Sequence, residues 1–368
     1  MDMDIPYRFW GHLKHAPHAD ILIIVMGIYR RTLKTMQTKV AIITGANSGV
    51  GFGIAQRLLD YSSKNPSYCI RLVLACRNAT RASVAREELT KEYPESLVDI
   101  VIVDLSSIDS VFKCCKEIKE KYDRIDLLFC NAGILSCEYV DWWSALYLGL
   151  TSPVSLLTES KTIVQSIGNK TIDGLGETFA CNVFGHYVMV RQLEDLMSVS
   201  GDARIIWTSS GTSSKDYYNF ADYQCIESNN PYESSKYITD IIAIALNTRL
   251  NQRHIHSFTT HPGVVATNIV GDHLGWIMGK LMIVGFHLGR ICGLREETIT
   301  AWNGSYSNFI VATLPIECLN KSLKYGSCVK PWGTVYYDEN FIDGYNEEDA
   351  TALLNQLDRL LENFSQKS

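Results

Sequence analysis

Short apolar runs alternate along this chain with segments whose apolar residues recur at helical spacing. Lys39–Thr44 reads as a first strand and Val50–Leu59 as the helix behind it. Ile70–Cys76 and Leu97–Val103 are further strands, each followed by an amphipathic helix, at Ala79–Tyr93 and Ile108–Tyr122. Ile125–Cys130, Arg204–Thr208 and His256–His261 continue the series. Between them lie a long helix over Gly176–Met197 and another opening at Pro231, a favoured first-turn position for proline. Strand–helix alternation of this kind predicts an α/β fold: a doubly wound parallel sheet in a single domain with helical insertions.

Two stretches exceed what a minimal doubly wound domain needs. Residues 135–175 carry the Trp142-Trp143 pair and the apolar run Leu146–Leu157, which predicts an ordered, partly helical insertion. Leu274–Leu294 is almost wholly apolar, interrupted by Lys280, His287 and Arg290. A lid over the substrate or a membrane-contact helix that snorkels its cations is expected ahead of a purely buried helix, which would carry Lys280 and Arg290 awkwardly. Residues 1–38 form an N-terminal extension whose apolar run, Ile21–Tyr29, is too short to span a bilayer. Arg30 and Arg31 follow that run, which argues against a cleaved signal peptide. An extra helix, a poorly ordered extension and a shallow membrane anchor stay open. The expected organisation is therefore the extension, a dinucleotide-binding domain over 39–345, and a C-terminal helix over 346–368.

Composition narrows the function. The apolar fraction is 46% and the formal net charge −6, so there is ample core and no electrostatic case for nucleic acid. Eleven cysteines occur without a CxxC pair, which reads as free, mostly buried thiols in a reducing compartment. No metal site is expected.

Chemistry concentrates at the strand ends. The turn Thr44-Gly45-Ala46-Asn47-Ser48-Gly49-Val50-Gly51 lies between a strand and a helix, where backbone N–H groups meet phosphates. Gly45 suits the tight turn, Gly49 the close approach of a pyrophosphate, and Gly51 helix–strand packing. The second strand ends in Cys76-Arg77-Asn78, with no acid for ribose hydroxyls. Arg77 suits a 2′-phosphate, so NADPH is expected over NADH; the bland alternative is a solvated arginine. Asp104 either accepts from an adenine amino group or caps the next helix. Asn131-Ala132-Gly133 ends the fourth strand, where small residues let backbone lie along a cofactor. Ser209-Ser210 ends the fifth strand, at the edge where open α/β sheets bind ligands. Tyr232 and Lys236, at i and i+4, share one helix face. A free phenol has a pKa near 10, and a neighbouring cation is expected to lower it by roughly 1–3 units, toward general acid or base work.

Taken in order, these residues resemble the short-chain dehydrogenase/reductase superfamily, over roughly residues 38–270. The resemblance implies a Rossmann-type fold with Thr44, Gly45, Ser48, Gly49 and Gly51 in the cofactor turn. It implies Ser210 as the carbonyl-orienting serine, Tyr232 as the acid, Lys236 as its modulator and ribose ligand, and Asn182 as holder of a proton-relay water. Pro262, Gly263 and Thr267 would belong to the loop closing over the nicotinamide. Cys130-Asn131 stands where Asn-Asn is usual, and Asp216–Asn230 lengthens the serine-to-tyrosine interval.

A narrower likeness, to fungal 3-keto-steroid reductases of sterol C4 demethylation, rests on Val140-Asp141-Trp142-Trp143, Asn182-Val183-Phe184-Gly185 and Trp207-Thr208-Ser209-Ser210. Tyr232-Glu233-Ser234-Ser235-Lys236 and Lys324-Tyr325-Gly326-Ser327 extend it. It implies NADPH-dependent reduction of a sterol C3 ketone at the endoplasmic reticulum membrane or lipid droplets. A C4 decarboxylase and a methyl oxidase would be partners. Trp142, Trp143, Tyr217, Tyr218 and Phe220 are candidates to line an apolar cavity. The rivals are a reductase of retinal or a 17-keto steroid, and a non-catalytic scaffold for membrane sterol enzymes.

Overall fold

The computed structural model describes residues 38–366 apart from 153, 156–161 and 267–274. The N-terminal apolar run therefore lies outside the described residues. The strands are β1 (Lys39–Thr44), β2 (Ile70–Cys76), β3 (Leu97–Ile102), β4 (Leu127–Cys130), β5 (Cys137–Val140), β6 (Ile163–Gln165), β7 (Ala203–Thr208), β8 (Ile255–His261), β9 (Leu323–Val329) and β10 (Val335–Phe341). Eight of them form one sheet in the order β10-β9-β8-β7-β4-β1-β2-β3. All neighbours in it run parallel except β10 against β9. The helices are α1 (Gly49–Lys64), α2 (Ala79–Glu92), α3 (Ile108–Lys121), α4 (Trp142–Thr151), α5 (Gly185–Ser198), α6 (Pro231–Leu250), α7 (Gly275–Ile291), α8 (Ala301–Gly304), α9 (Tyr306–Thr313) and α10 (Glu347–Ser365).

Both sheet faces are covered, so the central strands read as continuous apolar runs. The two-residue period of β1 divides them cleanly. Val40 and Ile42 face one core with Val73, Leu128 and Ile205, against Val111 and Ile118 of α3, Val188 of α5 and Ile242 of α6. Ala41 and Ile43 face the other with Leu72, Phe129 and Ile206, against Ile54 and Leu58 of α1 and Val311 of α9. After β3 the chain returns to the far side of β1 to form β4. This reversal opens a crevice beyond the carboxyl ends of β1 and β4, the position where such sheets take ligands.

Three features depart from the sequence pattern. The 135–175 insertion is not only helical: besides α4 it carries a two-stranded antiparallel sheet, β5 with β6. Strands of four and three residues are too short for periodicity to register. The long helix expected from Gly176 is one turn (Glu177–Phe179), then a π-type turn (Ala180–Phe184), then α5. The sheet also continues past the sixth expected strand. All seven residues of β9 are buried, yet Lys324, Gly326 and Ser327 mask its strand character. The C-terminal helix α10 buries Leu353, Leu357 and Leu361 in the first core, and Asp358 takes ion pairs from Arg191 and Arg249, each at 2.6 Å. All eleven cysteines are free.

Candidate active site

Gly45 has φ +67° and Gly49 φ +55°, so both hold the left-handed conformation that the turn between β1 and α1 requires. Asn47, Ser48 and Val50 lie on this turn. Ser48 is the N-cap of α1 but makes no side-chain capping bond, and the first helical turn carries no acid. The positive end of the helix is therefore left for an anion. A Cβ on Gly51 would stand 2.5 Å from the Gly45 carbonyl oxygen and 2.6 Å from Asn131 Nδ2. Gly51→Ala is expected to cost about 1–3 kcal/mol by overpacking and to weaken dinucleotide binding in parallel. Thermal melts and a binding titration check this; an unaltered variant would mean the turn has slack.

Thr44 and Asn131 are not aimed at the crevice; they brace it. Thr44 Oγ1 accepts from the amides of Asn131 (2.9 Å) and Ala132 (3.0 Å). Asn131 Nδ2 donates back to the Thr44 carbonyl at 2.8 Å. His186 Nε2 lies 2.8 Å from Thr44 Oγ1, and His186 Nδ1 lies 3.3 Å from the Asn182 carbonyl oxygen. A carbonyl only accepts, so Nδ1 carries the proton and Nε2 is an acceptor, one of two for the Thr44 hydroxyl beside the Phe129 carbonyl at 3.1 Å. Burial holds this imidazole neutral, its pKa pushed down to about 3. Asn182 sits within the π-type turn. Its Oδ1 accepts from Ile134 N–H (2.8 Å), and its Nδ2 donates to the Ile134 carbonyl and to Ser235 Oγ, both at 3.0 Å. The side chain thus pins the Asn131–Ile134 stretch to α6. Gly133 runs between Asn182 Oδ1 and Lys236 Nζ, which a Cβ there would meet at 3.1 and 3.4 Å.

Arg77 is exposed at the end of β2, next to Asn78, which caps α2 through Arg81 N–H. Asp104 does not cap the next helix. Its Oδ1 accepts from the amide and hydroxyl of Ser106, while Ser107 is the N-cap of α3. Pro262 and Gly263 follow β8; Gly263 has φ +66°, and the Pro262 carbonyl accepts from Thr298 Oγ1 at 2.9 Å. Thr267 lies outside the described residues.

The reacting centre forms where β7 meets α6. The Ser210 hydroxyl hydrogen-bonds the Tyr232 phenol. Ser210 Oγ accepts from Thr212 N–H at 3.1 Å and lies 2.9 Å from Thr212 Oγ1. Lys236, fully within the protein, donates to the Thr208 carbonyl at 2.8 Å, with its ammonium 5.5 Å from the Tyr232 ring centroid. One expectation is corrected here. Burial pushes the Tyr232 phenol up to about 12, opposed by Ser210 and not by Lys236. Burial likewise pushes Lys236 down to about 8, with Asp240 pulling it back up. Desolvation outweighs the lysine charge because the ammonium is anchored on β7 rather than against the phenol oxygen. The result is a phenol that stays protonated at neutral pH, the form a proton donor needs.

Residues missed by sequence reasoning hold this helix in place. Gln165 of β6 accepts from Tyr232 N–H at 2.9 Å and donates to Glu233 at 2.6 Å. It does the capping that Asn230 does not, and nothing local in the sequence signals it. Ser235 Oγ donates to the Tyr232 carbonyl at 2.7 Å. Asp240 was readable: it continues the Tyr232–Lys236 spacing by one more helical turn. Of the aromatic candidates, Trp143 is 83% exposed and Trp142, Tyr217 and Phe220 are about half as exposed, whereas Tyr218 packs inward on Tyr237. Arg290 does not snorkel. It is buried and donates to the backbone carbonyls of Glu297 and Thr298.

The donor set fits a nicotinamide dinucleotide: an unneutralised helix N-terminus, bare backbone at Gly45 and Gly133, and a buried lysine beside the latter. Among the described residues no cluster could hold a metal ion.

Comparison with known proteins agrees. The family described as short chain dehydrogenase matches residues 39–276. The human 3-keto-steroid reductase/17-beta-hydroxysteroid dehydrogenase 7 is 34% identical over 301 residues, covering 81% of this chain and 86% of its own. The 3-keto-steroid reductase erg27 of Schizosaccharomyces pombe is 30% identical, covering 80% and 88%. Among solved structures, salutaridine reductase from Papaver somniferum superposes with TM-score 0.54 at 18% identity, over 77% of this chain and 98% of that one.

Proposed function

This chain belongs to the short chain dehydrogenase family, and from that premise we propose that it is an NADPH-dependent reductase of a 3-keto sterol, 4-methyl or 4-demethylated, forming the 3-beta-hydroxy sterol. As an oxidoreductase of this family it works with a nicotinamide dinucleotide, which supplies the hydride. The chain's own residues do the rest. Ser210, with an acceptor position filled by the Thr212 amide, directs its hydroxyl at the ketone oxygen. Tyr232 gives its proton to that oxygen as it becomes an alkoxide. A phenol near 12 is still a stronger acid than a secondary alcohol, so the transfer runs downhill. Asn182 ties the Ile134 backbone to α6, and Lys236 ties α6 to the end of β7.

The observation that supports the sterol is the reach of the likeness. Relatives named 3-keto-steroid reductases match four-fifths of the chain, more than the dinucleotide-binding part alone requires. The test is NADPH oxidation by the purified protein on a 4-methyl 3-keto sterol, with retinal and a 17-keto steroid alongside. The 3-keto sterol should be turned over fastest. A 17-keto steroid is the second reading, favoured by the double name of the human relative; its faster turnover, or that of retinal, would replace the first. The intact Ser210, Tyr232 and Lys236 set argues against a scaffold alone.

NADPH is favoured over NADH because Arg77 stands exposed at the end of β2. Arg77→Ala is expected to raise KM for NADPH about tenfold and leave KM for NADH unchanged. Equal effects on both would assign Arg77 to the solvent.

The reading also includes a membrane surface. Ile283, Val284, Leu288 and Ile291 of α7 are all more than a third exposed, and Trp143 stands free on the insertion. Among the described residues no helix is long and apolar enough to cross a bilayer, so contact would be interfacial. It places the protein on the cytosolic face of the endoplasmic reticulum or on lipid droplets, beside a sterol C4 decarboxylase and methyl oxidase.

A further inference from the structure

Lys324 and Asp240 form a buried ion pair at 2.9 Å directly behind the reacting centre. Asp240 is fully buried on α6, one turn beyond Lys236 and two beyond Tyr232. Lys324 lies on β9, next to β8, far from either in sequence. Its ammonium has three protons and three acceptors: the Ser210 carbonyl at 3.1 Å, Ser213 Oγ at 2.6 Å and Asp240 Oδ2. Ser213 in turn donates to Asp240 Oδ2 at 2.6 Å, and Thr259 donates to Asp240 Oδ1 at 2.5 Å.

Two of the three lysine bonds thus fall on the stretch Ser210–Ser213, and the third ties that stretch to the helix of Tyr232. A buried ion pair adds little net stability over well-packed neutral groups, because desolvation cancels most of the attraction. Its geometry, however, is strict. We propose that Lys324 and Asp240 are positioning residues for carbonyl reduction: together they lock the Ser210 loop to α6, so that the serine hydroxyl and the Tyr232 phenol converge on one oxygen. By this arrangement β9, outside the part that binds dinucleotide, sets the spacing of the catalytic pair.

The proposal rests on the reductase reading for its kinetic arm only. Lys324→Met alone leaves a buried carboxylate unpaired and risks misfolding. The variant of choice is Lys324→Met with Asp240→Asn, which removes both charges at nearly constant shape: the amide oxygen still accepts from Thr259, and the amide NH2 donates to Ser213 Oγ in place of the Lys324 ammonium. Its melting temperature should stay near that of the wild-type protein. Amide exchange across 209–213 should rise about tenfold or more, with the turn at Gly45–Gly51 unchanged. On whichever ketone the wild-type protein reduces, kcat should fall about 10- to 100-fold while NADPH binding is kept. In a Ser210→Ala background the same double change should cost almost nothing further, since it acts through that serine. Unaltered exchange at 209–213, or an equal loss of kcat with and without Ser210, overturns the proposal. Failure on the 3-keto sterol alone would overturn only the substrate, because exchange is read without one.

Discussion

Tyr232→Phe is expected to lower turnover by about 10²–10⁴, the usual share of a positioned proton donor, while NADPH binds as before. The reason is local. Only the phenol oxygen is removed; the ring, the Gln165 cap on its backbone N–H and the Ser235 bond to its carbonyl all remain. Without the phenol, an alkoxide forming beside Ser210 has no acid of suitable strength. Steady-state NADPH oxidation and a fluorescence titration separate the two effects. Turnover close to wild type would remove Tyr232 from the mechanism; lost binding would mean that the ring, not the proton, had been the contribution.

Lys236→Met is expected to stabilise the protein at neutral pH even as turnover is lost. Burial lowers the folded-state pKa of Lys236 from 10.5 to about 8. Between those values the folded protein binds fewer protons than the unfolded chain, so stability rises with pH there. Below about 8 both states carry the proton, and the folded state bears the full cost of burying it. At about 1.4 kcal/mol per unit, less about 1 kcal/mol for the lost bond to the Thr208 carbonyl, the substitution should gain about 1–3 kcal/mol at pH 7. The wild-type protein should gain stability from pH 8 to 10 through this group, and the variant should lack that gain. Denaturant midpoints at pH 7, 9 and 10 measure it. A less stable variant at pH 7 would mean that the ammonium is a net structural asset. Otherwise it is a charge retained for function at a cost in stability.

Much of the scaffold was legible before any contact was known. β1 and β2 have the predicted bounds, Lys39–Thr44 and Ile70–Cys76, because both are buried on two faces and their apolar runs are unbroken. The glycine turn and the Tyr232–Lys236 pair were legible for a related reason: each is a pattern within a few residues, set by backbone conformation or helical pitch. β9 was not, since Lys324, Gly326 and Ser327 satisfy their needs inside the protein and leave no alternation to read. Asp104 was left between accepting from an adenine and capping its helix, and its carboxylate does not cap, because Ser107 stands nearer the first turn.

What the sequence alone determined is the set of groups and their order along the chain: a glycine turn between strand and helix, a strand-end serine, a tyrosine and a lysine one helical turn apart. Tertiary structure decided how those groups behave. The phenol is pushed up rather than down because desolvation depends on what packs around it, not on its neighbour at i+4. Gln165 caps the tyrosine helix, and Lys324 reaches the Ser210 loop, only because the chain brings distant strands to that crevice. Local geometry is written in short-range sequence; burial and long-range pairing exist only once the chain has closed on itself.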